Sequence, residues 1–134
     1  MRSFKLDIVS PDGSMFSGEA ERLLVRTTDG DVEIMAGHTD LFATLGVGRV
    51  KLTTSEGARF ASASGGFLTV KDGAVTLAAI TFEFADSIDA ARAERARERA
   101  ELEIKSAEND KELTLAKARL ARAINRINVA NIRR

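Results

Sequence analysis

Five arginines carry the most concentrated chemistry in this sequence. Arg92, Arg95 and Arg99 recur at i, i+3 and i+7, which places them on one side of a helix. Arg122 and Arg126 recur at i and i+4. If the two segments fold back on each other, Arg92 and Arg99 converge with Arg122 and Arg126. Several guanidiniums at one place make a phosphate site, because each presents a planar fork of donors. Asp89 or Glu83 then accepts from a ribose or an amino group. The same spacing also fits a solvated arginine face with ion pairs among Glu94, Arg95, Glu98 and Arg99. Spacing alone does not choose between the two.

Other reactive residues are sparse. His38 lies in Ala36-Gly37-His38-Thr39-Asp40, spaced for a His–Asp pair. No Ser or Cys nucleophile is signposted and no second ligand completes a metal set, so a packing or interface role is expected. Thr28-Asp29-Gly30-Asp31-Val32-Glu33 concentrates acid but lacks the EF-hand ligand spacing and its closing Glu. It reads as a solvated turn or an acidic contact loop. Gly65-Gly66 fits neither phosphate-loop pattern and reads as a tight turn or a close backbone approach.

The elements that must position these residues divide the chain in two. Its 134 residues, 44% of them hydrophobic, suffice for one domain with an appendage. Up to about residue 85 the text is strands and turns. Phe4, Leu6 and Ile8 alternate with Lys5 and Asp7, the period of a half-buried strand. Turn signals recur at Pro11-Asp12-Gly13, Thr28-Asp29-Gly30, Ser55-Glu56-Gly57, Gly65-Gly66 and Lys71-Asp72-Gly73. Short strands at this spacing predict a β-sandwich or barrel. After Asp86 there is no Gly or Pro, and Ala, Arg, Glu and Leu dominate. Asp86 or Ser87 is expected to cap a first helix, with Asp89 in its first turn. A break near Asn109-Asp110 then yields two antiparallel helices of roughly 20 residues. The first seam reads Ala93, Ala96, Ala100, Ile104 and Ala107. The second reads Leu113, Leu120, Ile124 and Ile127, with Lys117 interrupting. An alanine seam buries little area, so the hairpin is expected to be weakly held.

Charge and composition narrow the function. Basic and acidic side chains number 20 each, which gives no overall pull toward nucleic acid or an anionic membrane. Residues 1–85 hold 8 basic and 11 acidic groups, a net −3, and residues 86–134 hold 12 and 9, a net +3. The absence of Cys excludes disulfides and Cys-based zinc sites. The first residues lack the apolar run of a secretory signal, and no segment approaches the roughly 20 apolar residues of a membrane span. With one His and no Tyr, an independent active site is not expected.

Along nearly its whole length the chain resembles the epsilon-chain family of bacterial F-type ATP synthase. The match is carried by Asp7-Ile8-Val9-Ser10-Pro11-Asp12-Gly13, Met15-Phe16-Ser17-Gly18, Gly37-His38, Ser64-Gly65-Gly66-Phe67, Ile88-Asp89-x-x-Arg92-Ala93 and Leu120-Ala121-Arg122-Ala123-Ile124-Asn125-Arg126-Ile127. The resemblance implies a ten-stranded β-sandwich over residues 1–85 and a helical hairpin over 86–134. It implies a non-catalytic rotor subunit of the central stalk, whose sandwich meets the gamma subunit and the c-ring. It places the subunit peripherally on the cytoplasmic face of the bacterial inner membrane. The hairpin would fold down or extend along gamma toward alpha and beta, restraining ATP hydrolysis. No cofactor is required, but ATP is implied as a regulatory ligand in some relatives, at positions matching Glu83, Ile88, Asp89, Arg92, Ala93, Arg99, Arg122 and Arg126. The subunit contacts are expected at Ser10, Asp29, Asp31, Glu33, His38, Leu41 and Phe42. Glu33 and Ala36 stand where the family commonly has Gly and Pro, and Leu115 where some ATP-binding relatives have a further arginine. The arginines alone also suggest a free-standing nucleotide or anion sensor.

Overall fold

The computed structural model describes residues 2–132. Met1 and the last two residues of the expected hairpin, Arg133 and Arg134, lie outside the described residues. The chain forms two compact units that divide between Phe84 and Ala85.

The first unit holds eight strands: β1 (Phe4–Ser10), β2 (Gly13–Ala20), β3 (Arg22–Thr27), β4 (Gly30–Met35), β5 (Leu41–Thr44), β6 (Gly48–Thr54), β7 (Gly57–Lys71) and β8 (Ala74–Phe84). They run β2-β1-β8-β7-β6-β3-β4, with β5 also paired to β7. All pairings are antiparallel except β1 with β8, which is parallel.

Of the two expectations for Gly65-Gly66, the tight turn is absent, because β7 passes through it as one strand of 15 residues, and the close backbone approach is what the structure has. The glycines instead reverse which side chains face inward. Residues 61–64 are all buried, but Ala61 and Ala63 join the hydrophobic core before the pair and Leu68 and Val70 after it, so the core-facing parity switches. On β8 the switch comes opposite, between Ala79 and Phe82, with Ile80 and Thr81 both turned out. Both glycines adopt positive φ, +68° and +95°. A side chain at Gly66 would place Cβ 1.9 Å from the Ala78 carbonyl oxygen, and one at Gly65 would meet Ile80 Cδ1 at 2.8 Å. Only glycine permits the corner.

The corner lets one continuous sheet make two layers. One layer holds β4, β3, β6, the first part of β7 and the end of β8. The other holds β5, the second part of β7, the start of β8, β1 and β2. The expected ten strands appear as eight, two of which serve both layers. Between the layers lies an aliphatic core that includes Leu6, Ile8, Leu23, Val25, Ile34, Leu52, Leu68 and Leu77, each at most 1% exposed. Burying each such side chain is worth about 1.5–3 kcal/mol.

The second unit begins with a 3-10 turn over Ala85–Ser87, then α1 (Ala90–Ser106) and α2 (Asp110–Ala130). The cap of α1 is neither Asp86 nor Ser87 but Asp89, whose side chain accepts from the Arg92 N–H at 3.0 Å. The 3-10 turn consumes the two earlier candidates. Asn109 caps α2 by accepting from the Glu112 N–H at 2.9 Å, and Glu112 reaches back to the Glu108 N–H at 2.9 Å. The seam of α1 follows expectation, whereas that of α2 differs. In α2 the buried residues are Ala116, Ala123 and Val129, while Leu113, Leu120 and Ile127 are half-buried and Ile124 is exposed. In α1 they are Ala93 and Ala100. Alanines seven apart line both helices, which permits close approach and pushes the larger side chains to the flanks. Among the described residues, no helix is long and apolar enough to cross a membrane.

Candidate functional site

The outward face of the second layer carries an apolar band that the strand registers assemble. Val9 pairs with Ala78, Ala78 with Phe67, and Phe67 with Thr44, one row across β1, β8, β7 and β5. Phe42 lies diagonal to Phe67, and their rings stack with centroids 5.6 Å apart and planes 20° apart. Ile80 extends the band over the space that Gly65 leaves open. Phe42 is 66% exposed, Ile80 64% and Phe67 40%. The neighbouring row is polar: Ser17, Asp7, Thr76 and Thr69 follow one another through the pairings. Ser17 Oγ donates to Asp7 Oδ1 at 2.7 Å, so this rim is itself ordered. A contiguous apolar patch with a polar rim has the make-up of a protein docking surface.

The outward face of the first layer is charged. Arg26 Nε donates to Asp31 Oδ1 at 2.6 Å across β3 and β4, and Arg22 lies 3.9 Å from Glu33. The Arg26 hydrogen bond holds the Asp31 carboxyl below the usual carboxylate range, and Asp31 in turn raises the Arg26 guanidinium. Both acids face out from an edge strand, where charge discourages pairing with another sheet.

The remaining expected contact residues are spread over several elements. Asp29 is exposed in the β3–β4 turn. Ser10 Oγ accepts from the Asp12 N–H at 3.2 Å, holding the β1–β2 turn. Leu41 packs against the core, while its neighbour Phe42 faces out. His38 Nδ1 lies 2.7 Å from the Thr39 carbonyl, which can only accept, so Nδ1 carries the proton. Asp40 accepts from the Asp72 N–H at 3.0 Å. His38 and Asp40 thus each have a different partner. Sequence reasoning named Phe42 but missed Val9, Phe67 and Ile80. Their signal is the apolar doublet: in Ile8-Val9, Phe67-Leu68 and Ala79-Ile80, one member is buried and the other must face out.

On the hairpin, Arg92, Arg95 and Arg99 are exposed, and Arg122 and Arg126 are half-buried. The ion pair of Arg119 with Glu103 at 3.0 Å sets the helices' relative level. Counting from it at roughly 1.5 Å per residue, Arg99 comes level with Arg122–Ala123, and Arg92 lies about four residues beyond Arg126. Asp89 is engaged as a cap, Ala93 is fully buried, and Ile88 and Glu83 are half-buried. The ion pairs within α1 run through Arg97, to Glu94 and Glu101, rather than through Arg95 and Arg99.

Comparison with known proteins matches residues 3–85 to the beta-sandwich domain of the ATP synthase delta/epsilon chain, and residues 86–131 to the long alpha-helix domain of the same chain. The ATP synthase epsilon chain of Ruminococcus albus is 39% identical over 132 residues, which cover 98% of each chain. The fold is shared with a chain of the Euglena gracilis mitochondrial ATP synthase OSCP/F1/c-ring structure, at TM-score 0.78 and 20% identity over 89% of this chain and 76% of that one. It is shared too with a chain of the Tetrahymena thermophila mitochondrial ATP synthase central stalk/c-ring structure, at TM-score 0.72 and 12% identity over 97% and 98%.

Proposed function

The chain belongs to the ATP synthase delta/epsilon chain family, and from that membership we propose that it is a non-catalytic subunit of the central stalk of an F-type ATP synthase. The sandwich docks on the gamma subunit and the c-ring, peripheral to the membrane, and the hairpin rearranges to restrain ATP hydrolysis. The observation that supports docking most directly is the exposed Phe42–Phe67 stack within its apolar band. Aromatic anchors in a patch of this kind dominate binding energy at interfaces. The acids of β4 and its flanking turn, Asp29, Asp31 and Glu33, supply a second, charged contact face.

The test is a Phe42→Ser, Phe67→Ser double variant expressed with the other subunits. Both side chains face away from the core, so thermal stability should change by about 0.5 kcal/mol per site or less. Co-purification with gamma and c subunits should fall at least tenfold. Full recovery of the complex by a folded variant would refute the docking face.

The near-level placement of Arg99 with Arg122, which follows from the Arg119–Glu103 pair, favours a second role for the hairpin. We propose that ATP binds there as a regulatory ligand, with Arg92, Arg99, Arg122 and Arg126 on its phosphates. Titration with ATP should shift the guanidinium signals of Arg99 and Arg122 by NMR. Spectra unchanged at millimolar ATP would remove this role and leave docking untouched.

A further inference from the structure

Arg59 occupies a position that the sheet register assigns to the interior. It pairs with Leu52 on β6, which is 1% exposed, and it shares parity with the buried Ala61 and Ala63. A charge placed there needs a partner, and the partner is a ring: the Arg59 guanidinium carbon lies 3.6 Å from the centroid of Phe84. Phe84 is 8% exposed and meets Phe82 edge-on, with centroids 5.1 Å apart. The residue as a whole is exposed, while its guanidinium covers the Phe84 ring at the end of the core.

Phe84 is where the ladder ends. It pairs with Ala61, the last pair between β7 and β8, and residues 57–60 of β7 continue beside β6 alone. Beyond Phe84 the chain enters the 3-10 turn, where the Ile88 N–H donates to the Ala85 carbonyl at 3.3 Å, and then the Asp89 cap of α1. The inward switch on β8 brings Phe82 and Phe84 to this open end, and Arg59 reaches diagonally across the strands to cover the last of them.

We propose that Arg59 is a positioning residue that clamps Phe84 and so fixes the pivot of the hairpin at residues 85–88. The inference rests on the reading of the hairpin as the moving part. Arg59 sets where rigidity stops. Without it, the end of β8 loosens and the pivot moves back into the sandwich.

Hydrogen exchange on the full chain tests the clamp. Arg59→Ala should speed exchange of the amides of residues 82–84 roughly three- to tenfold, the range of a partly solvated cation–π contact. The β6–β7 amides should keep their wild-type rates. Phe84→Leu, which retains an apolar side chain, should give the same local rise, and the double variant should add nothing further. Unchanged exchange at residues 82–84, an equal rise throughout the sandwich, or additive single variants would each overturn the clamp. The pivot is read separately. The chain has no native cysteine, so spin labels at Ser55→Cys and Lys111→Cys report one distance. Its distribution should broaden in Arg59→Ala, and an unchanged width overturns the pivot. Loss of the docking reading would appear instead in subunit recovery, which neither measurement touches.

Discussion

Arg26 and Asp31 illustrate how much a surface pair does at the scale of a residue. They face each other across β3 and β4, and Arg26 donates to the carboxylate at 2.6 Å. Both side chains are about half exposed, so the pair is solvent-screened and adds little to folding. What it does is fix a charge. A carboxyl held low in the folded chain contributes its stabilisation above the ordinary value of about 3.9, and loses it as pH falls through the folded value. Following Asp31 by NMR through acid pH should therefore give a higher midpoint in Arg26→Ala than in the parent chain. Equal midpoints would show that Arg26 does not hold it. Arg26 also fixes the direction in which the Asp31 carboxylate is held on the outward face of β4.

At the scale of elements, the corner of β7 is the decisive feature. Gly66→Ala combines a positive φ with a Cβ 1.9 Å from a backbone oxygen, and should cost about 3 kcal/mol or more by urea unfolding. Gly57→Ala has a positive φ but open space around it, and should cost only about 1–2 kcal/mol. Equal costs would mean that the close approach is relieved elsewhere. The same corner shows what the sequence makes legible. Alternation marked β1, and the turn signals marked most of the hairpins, because those features are local. Gly65-Gly66 carries the local marks of either a turn or a close backbone approach. What makes it a corner is the Ala78 carbonyl and Ile80 on the neighbouring strand, which the local text does not mention. The seam of α2 failed for a related reason. Leu and Ile spacing drew attention to positions 113, 120, 124 and 127, whereas close helix approach buries Ala116 and Ala123. The apolar band was half legible: Phe42 stood out by its resemblance, and Phe67 and Ile80 become readable once the inward face of their strands is known.

Taken whole, the molecule consists of two units of different construction. The sandwich holds large aliphatic side chains in its core, while the hairpin is lined by alanines and so has less apolar area to lose. The sequence already carried this contrast, along with a net −3 in the first part and +3 in the second. It carried less of the exposed apolar band, because exposure is a property of packing and not of residue type.

The two-layer strands have a mechanical corollary. In a sandwich whose layers meet only through side chains, a sideways load is opposed by packing contacts, which slip one row at a time. Here β7 and β8 pass bodily from one layer to the other. Sliding the layers past each other would have to stretch two peptide backbones at Gly65-Gly66 and Ile80-Thr81. That covalent stitching supplies shear stiffness at the place where a purely apolar interface would be softest.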